Sequence, residues 1–263
     1  MNTVKILHLT DLHILAHAGD TMLGIETEYY FRRTLDQAHA DHGSFDLILL
    51  TGDLAQDPCA DSYRRIRQHL QGYHTPCLCL PGNHDDLALM REWLVGEWIS
   101  CDRQRSLENW RIVCLNSQKP ESPVGWLADE ELEMLERTLQ SDGDQPTLIA
   151  MHHPCIASGS KWLDTMRVEN SDALITLLKR FPRVKAVVCG HLHQPLDVKL
   201  DKILMLVTPS TCFQFTPNTE EFSIDQCSPG YRLIELGEEG LIQSRCYRIP
   251  EPLTELIRTA HGY

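Results

Sequence analysis

Five short apolar runs in the first 195 positions each lead into a small polar string of Asp, Asn, Gly or His. Val4 to Thr10 ends in Asp11-Leu12-His13, and Asp46 to Thr51 ends in Gly52-Asp53-Leu54. Cys77 to Leu80 leads to Gly82-Asn83-His84-Asp85, Thr147 to Met151 to His152-His153-Pro154, and Val184 to Cys189 to Gly190-His191-Leu192-His193. Runs of this length predict buried strands, and the segments between them carry helical spacing. Phe31, Leu35 and Ala38 recur at i, i+4 and i+7, and helices are also expected over Ala60 to Gly72, Asp86 to Leu94 and Ala128 to Gln140. Ala173, Leu174, Leu177 and Leu178 mark one more, with Ser171 as its N-cap and Pro182 just past its end. A further strand is expected at Trp110 to Leu115. Such alternation predicts an α/β fold whose polar strings gather at one end of the strands.

After residue 195 the helical spacing fades. Strands are expected at Lys202 to Val207, Thr211 to Phe215, Tyr231 to Leu236 and Leu241 to Tyr247. A strand-rich final third with little helical cover of its own predicts two packed sheets flanked by helices. No repeat, low-complexity tract or Gly/Ser linker divides the chain, so one domain spanning 1–263 is expected, with its β-rich portion at about 196–250. The last dozen residues fit either a frayed helix or a tail.

Composition narrows the function. A hydrophobic fraction of 42% with 23% charged residues is that of an ordinary globular chain. The apolar runs are far too short to span a bilayer, and the N-terminus enters a strand without a secretory leader, so a cytoplasmic protein with no membrane partner is expected. Ten cysteines, most in strand-like runs and with no Cys-x-x-Cys pair, fit reduced structural thiols better than a zinc or redox centre. The net charge, 24 minus 37 or −13, argues against a groove that tracks nucleic acid. Any anionic substrate must therefore find its positive charge locally.

Taken singly, each polar string has an ordinary explanation. Asp11 suits a turn, Gly52-Asp53 a strand exit, Asn83 a helix cap, and His152-His153 a buried pair. Together, at the same end of successive strands, they supply two carboxylates, one amide oxygen and four imidazoles, enough for two metal ions sharing one carboxylate. Oxygen and nitrogen donors without sulfur suit iron, manganese, cobalt or zinc, and two such ions can activate a water and clamp phosphoryl oxygens. Two divalent ions, two aspartates and a bridging hydroxide sum to roughly +1, which attracts an anion without a basic patch.

In this order, Asp-x-His, Gly-Asp, Gly-Asn-His-Asp, His-x-Pro and Gly-His-x-His resemble the calcineurin-like metallophosphoesterases. The resemblance runs from Asp11 to His193 and implies a four-layer α/β/β/α sandwich of two mixed sheets. It implies that Asp11, His13 and His193 hold the first ion and Asn83, His152 and His191 the second, with Asp53 bridging. His84 would then contact the phosphoryl oxygen or assist the leaving alkoxide, oriented by Asp85. His13, Asp53, Asn83, His84 and His193 would meet the substrate. His153 is expected behind the ligands or in the core.

Longer strings narrow this resemblance. Gly52 to Asp57, Lys161-Trp162-Leu163-Asp164, Thr208 to Cys212 with Gln214-Phe215, and Ser228 to Arg232 are similar to the bacterial class III 3′,5′-cyclic AMP phosphodiesterases. This implies opening of cyclic AMP to 5′-AMP by a metal-bridging hydroxide, with iron or manganese as the leading ions and zinc, cobalt or magnesium as others. The alternatives are a phosphodiesterase of other small diesters, such as glycerophosphodiesters, and a non-catalytic interaction module of the same fold. Cys155 departs from the pattern where many relatives carry a second proline, which bears on loop shape. His17 is expected to be a loop residue, and His8, His39, His42, His69, His74 and His261 structural or surface residues.

Overall fold

The protein is described by a computed structural model covering residues 3–141 and 143–260. In chain order its elements are β1 (Val4–Leu9), α1 (Thr27–His42), β2 (Leu47–Thr51), α2 (Ala60–Gln71), β3 (Cys77–Leu80) and α3 (Leu87–Leu89), which runs on as a π-helical turn over Met90–Leu94. There follow β4 (Ile99–Ser100), β5 (Gln104–Leu107), β6 (Trp110–Cys114), α4 (Asp129–Gln140), β7 (Thr147–Ala150), α5 (Lys161–Asp164), α6 (Ser171–Lys179) and β8 (Val184–Cys189). The chain continues through β9 (Leu196–Leu200), β10 (Ile203–Val207), β11 (Gln214–Phe215), β12 (Ile224–Asp225), β13 (Gly230–Leu236) and β14 (Ile242–Arg248).

Alternation of side chains along the strands sorts the apolar residues into layers. On β1 and β2, Val4, Ile6, Leu47 and Leu49 face inward, against Ile112, Leu148, Ala186 and Val188 of the other sheet. Their neighbours Leu7, Leu9, Ile48 and Leu50 face outward and are covered by Phe31 and Leu35 of α1 and by Tyr63, Ile66 and Leu70 of α2. The second sheet repeats the arrangement, with Val113, Ile149 and Val187 packed under Leu135 and Leu139 of α4 and Leu174 and Leu178 of α6. Helix, sheet, sheet and helix thus stack in four layers, as expected.

The first sheet has the order β14-β13-β1-β2-β3-β4 and the second β5-β6-β7-β8-β10-β9. Strands β1 to β4 run parallel, as do β6, β7, β8 and β10, while β13, β14, β5 and β9 are antiparallel to their neighbours. The β-rich final third is therefore shared out. Strands β9 and β10 extend the second sheet, whereas β13 returns to pair with β1 and brings β14 with it.

Several expected elements differ in detail. Asp86 to Leu94 holds only three α-helical residues before the widened turn, in which Val95 N–H donates to Met90 carbonyl at 3.3 Å. Ser171 is the first helical residue of α6 rather than its cap. The preceding Asn170 occupies that position and ties itself to Leu127, accepting from its N–H at 3.0 Å and donating to its carbonyl at 2.7 Å. Of the strand expected over Thr211 to Phe215, only Gln214–Phe215 is paired. Ser210 Oγ diverts the residues before it by accepting from Cys212 N–H, a local bond that competes with a sheet ladder. Strand β9 is a largely exposed edge with no apolar run to announce it. The described part of the C-terminal segment forms turns rather than a helix, with Pro252 accepting a hydrogen bond from Tyr30. Among the described residues no helix is long and apolar enough to cross a membrane.

Candidate metal centre

The loops after β1, β2, β3, β7 and β8 meet at one edge of the sandwich. Their backbone is tightly bent: Asp11 has φ 53°, His13 49°, Asp53 49°, His191 68° and His193 46°. Side chains rarely tolerate this left-handed region, and residues held there tend to cluster at functional sites. Interlocking hydrogen bonds hold the bends. Asp11 N–H donates to Gly52 carbonyl at 3.0 Å, and the N–H groups of Leu12 and His13 donate to Asp53 carbonyl at 2.8 and 2.9 Å. His191 N–H in turn donates to the Asp11 carboxylate, 3.1 and 3.0 Å from its two oxygens. The approach is so close that a Cβ on Gly190 would lie 1.9 Å from Thr10 Oγ1, and one on Gly82 2.1 Å from Asp53 Oδ1.

All seven donors expected from the polar strings come together. Ligand atoms of Asp11, His13 and His193 lie within 4.8 Å of one another, as do those of Asp11, Asp53 and His152. Nε2 of His13 is 3.1 Å from Nε2 of His193, which is itself 3.5 Å from Asp11 Oδ1. On the other side, His152 Nε2 is 3.1 Å from Asn83 Oδ1 and 3.3 Å from His191 Nδ1. Asp53 lies between the two sets, with Oδ2 3.2 Å from His152 Nε2 and 3.9 Å from His13 Nε2.

The chemistry of this donor set fits cations. Nδ1 of His13 faces Gln56 Oε1 at 2.7 Å, Nδ1 of His193 faces Phe213 carbonyl at 2.9 Å, and Nδ1 of His152 faces Thr51 carbonyl at 2.8 Å. Each of these oxygens accepts a hydrogen bond from Nδ1–H, which leaves Nε2 as the nitrogen that faces the centre. Nitrogens and carboxylates so close need positive charge among them: burial disfavours the His152 imidazolium, yet Asp53 raises its pKa to about 9. Burial pulls the His13 imidazole down to about 3, against the pull of Asp53. Burial also disfavours the ionised aspartates, yet His193 holds Asp11 below its ordinary value and His152 holds Asp53 well below it.

His84 sits at the mouth, half-buried. Its backbone N–H donates to Asp53 Oδ1 at 3.0 Å, and its ring packs edge-on to His13 with centroids 5.1 Å apart. A ring nitrogen lies within 4.8 Å of ligand atoms of both His13 and Asp53. With Asn83 and His191 it lines a cleft of about 550 Å³ that Trp162, Phe215 and Phe222 also line. Asp85, the residue after His84 in the chain, is buried. Its carboxylate accepts from the N–H groups of Leu54, Ala55 and Gly82 at 2.9 to 3.0 Å and from Tyr63 Oη at 3.0 Å, so it clamps two loops together. His153 is buried behind the donors, with Nδ1 2.8 Å from Ser117 Oγ.

The remaining strings supply supports that residue type alone did not reveal. Ser210 Oγ donates to Asp11 carbonyl at 2.7 Å. Gln118 Nε2 donates to the carbonyls of Gly82 and Asp85, both at 2.7 Å. Buried Arg232 on β13 reaches Asp197 on β9, joining the two sheets. Gln56 and Ser210 stood inside quoted strings, but only the fold discloses what they touch. Cys155 is buried with Sγ 3.9 Å from Met205 Sδ, a core contact. His17 is exposed beside Asp61, Arg64 and Arg65, in a groove separate from the cleft. His8 is buried between Thr51 and Thr208, His39 stacks on Tyr73, His42 packs edge-on to Tyr247, and His69 pairs with Glu28. His261 lies outside the described residues.

Comparison with known proteins agrees with this geometry. Residues 4–195 match the model of the calcineurin-like phosphoesterase family. A 3′,5′-cyclic adenosine monophosphate phosphodiesterase of Vibrio vulnificus is 37% identical over 94% of this chain and 91% of its own length. One from Escherichia coli K12 is 36% identical, covering 99% and 95%. Among solved structures, a dimetal phosphatase from Danio rerio superposes with a TM-score of 0.61 at 13% identity, over 93% of this chain and 98% of that one.

Proposed function

Because the chain belongs to the calcineurin-like phosphoesterase family, we propose that it hydrolyses 3′,5′-cyclic AMP to 5′-AMP at a centre for two divalent cations. The observation that carries this reading is the convergence of seven donors in two adjacent sets around Asp53. The choice of substrate rests on the cyclic AMP phosphodiesterases that resemble the chain over nearly its full length.

Asp11, His13 and His193 would hold one ion and Asn83, His152 and His191 the other, with Asp53 within reach of both. Iron or manganese is the pair we favour, and the same oxygen and nitrogen donors accept zinc, cobalt or magnesium. When bound, two such ions supply a nucleophilic water at neutral pH and a positive clamp on phosphoryl oxygens.

The chain's own residues do the rest. Gln56, Phe213 and Thr51 fix the tautomers of His13, His193 and His152, and the buried walls keep bulk water from the donors. His84 reaches a phosphoryl oxygen from the mouth of the cleft, its position set by Asp53. The water gives up one proton to solvent as its oxygen bonds to phosphorus, and as the P–O3′ bond opens His84 delivers a proton to the departing 3′-oxygen, without which a sugar alkoxide leaves poorly, and regains one from solvent.

Chromatographic identification of the product after reconstitution with manganese or iron tests the reading. Chelator-sensitive appearance of 5′-AMP is expected, whereas 3′-AMP or no turnover overturns it. We further place the enzyme in the cytoplasm, which suits ten cysteines present as free thiols; recovery in a periplasmic fraction would contradict that placement.

A further inference from the structure

The wall of the cleft facing the metal donors is aromatic, and its rings are braced against one another. Trp162 of α5 meets Phe215 edge-on at 4.9 Å and Phe222 at 5.3 Å between centroids. Phe215 in turn stacks on His193 at 4.4 Å with planes inclined by 29°, so an unbroken series of rings links a metal-facing imidazole to Trp162. The one polar group of the indole is already committed, since Nε1–H donates to Thr219 Oγ1 at 3.2 Å. What Trp162 offers the cleft is therefore apolar ring surface in a fixed orientation. A small base-free diester has no use for such a surface. Glu121 also lines the cleft, and its carboxylate disfavours phosphate beside it, which leaves the metal donors to the anionic end of a ligand. The cavity, about 550 Å³, is in the range that encloses small ligands.

We propose that Trp162, braced by Phe215 and Phe222, is the platform on which the nucleobase of the substrate stacks, and that it selects nucleotide diesters over base-free ones. The inference rests on the cyclic nucleotide reading above and adds to it a specificity residue and a binding mode. Stacking on an aromatic face tolerates any base, so purine nucleotides as a class are selected, with little discrimination between adenine and guanine.

Calorimetric binding to the manganese-loaded protein tests this with two ligands, 5′-AMP and ribose 5-phosphate, which differ by the base. The wild type is expected to prefer 5′-AMP by roughly tenfold. Trp162→Ala should erase most of that preference while leaving ribose 5-phosphate affinity unchanged, and Trp162→Phe should restore most of it. A Trp162→Ala protein that keeps the full preference, or that loses affinity for both ligands alike, overturns the platform without touching the hydrolytic reading. Equal binding of both ligands by wild type also overturns it. Turnover of cyclic AMP, scored separately, then decides whether the substrate assignment fails as well.

Discussion

The backbone N–H of His84 donates to Oδ1 of Asp53, while the other oxygen of that carboxylate faces His13 and His152. One side chain thus faces both donor sets and hangs the half-buried imidazole at the mouth from them. Asp53 and His84 nevertheless have separable tasks. His84→Ala is expected to keep a full complement of metal and to lose about 10²–10⁴-fold in kcat. Asp53→Ala should lose both ions and nearly all turnover. Elemental analysis beside a cyclic AMP assay checks the pair, and normal turnover by His84→Ala would remove His84 from the mechanism.

Gln56 acts through His13. Its Oε1 accepts a hydrogen bond from Nδ1–H and so fixes which nitrogen looks inward. Gln56→Ala should weaken metal retention by about 10–100-fold with little change in the folded structure. Titration with a competing chelator measures it, and unchanged retention would mean that the tautomer of His13 is set by something else.

Gly190 has no room for a side chain. A Cβ there meets Thr10 Oγ1 at 1.9 Å and Asp11 Oδ2 at 2.5 Å, both on the buried end of β1. Gly190→Ala should cost about 1–3 kcal/mol of stability and displace Asp11, lowering metal content. Urea denaturation of the variant tests this; a stability equal to wild type would show that β1 and β8 can separate at no cost.

Acid should destabilise the protein partly through His8. Burial, with Arg232 nearby, pulls its imidazole from 6.5 down to about 3, and Asp11 offsets this in part. The depressed folded value means that stability is complete above about pH 6.5 and is lost as pH falls from there toward 3. Below pH 6.5 the unfolded chain takes up a proton that the folded one refuses, at about 1.4 kcal/mol per pH unit. Replacement by Asn, which can still bond Thr51 or Thr208, should flatten the slope of unfolding free energy between pH 6 and 5 by up to one proton, measured in excess chelator. An unaltered slope would refute the assignment.

The candidate metal donors are readable because each stands in a polar string after a buried strand, where residue type and position argue together. Asp11, Asp53, Asn83, His152, His191 and His193 needed no tertiary information to be singled out. Asp85 did. It sits inside such a string, but its four donors come from Leu54, Ala55, Gly82 and Tyr63, and no local pattern announces a clamp between loops. The same holds for β13, whose alternation reads as a strand but carries no mark of the sheet it joins. Trp162 was legible only as part of a family string, since its ring partners Phe215 and Phe222 lie more than fifty residues further along.

The pairing of β13 with β1 fixes when, during synthesis, the centre can exist. Val4 waits for Leu236, more than two hundred residues later, and the loop carrying Asp11 waits for Ser210. Contacts so distant along the chain form late and slowly. A nascent chain that has already exposed every donor up to His193 still lacks the strand that closes β1 and the Phe213 carbonyl that orients His193. Hydrolytic competence is thereby deferred until the chain has been made through β13, and fragments released before it carry the candidate donors without the fold that joins them.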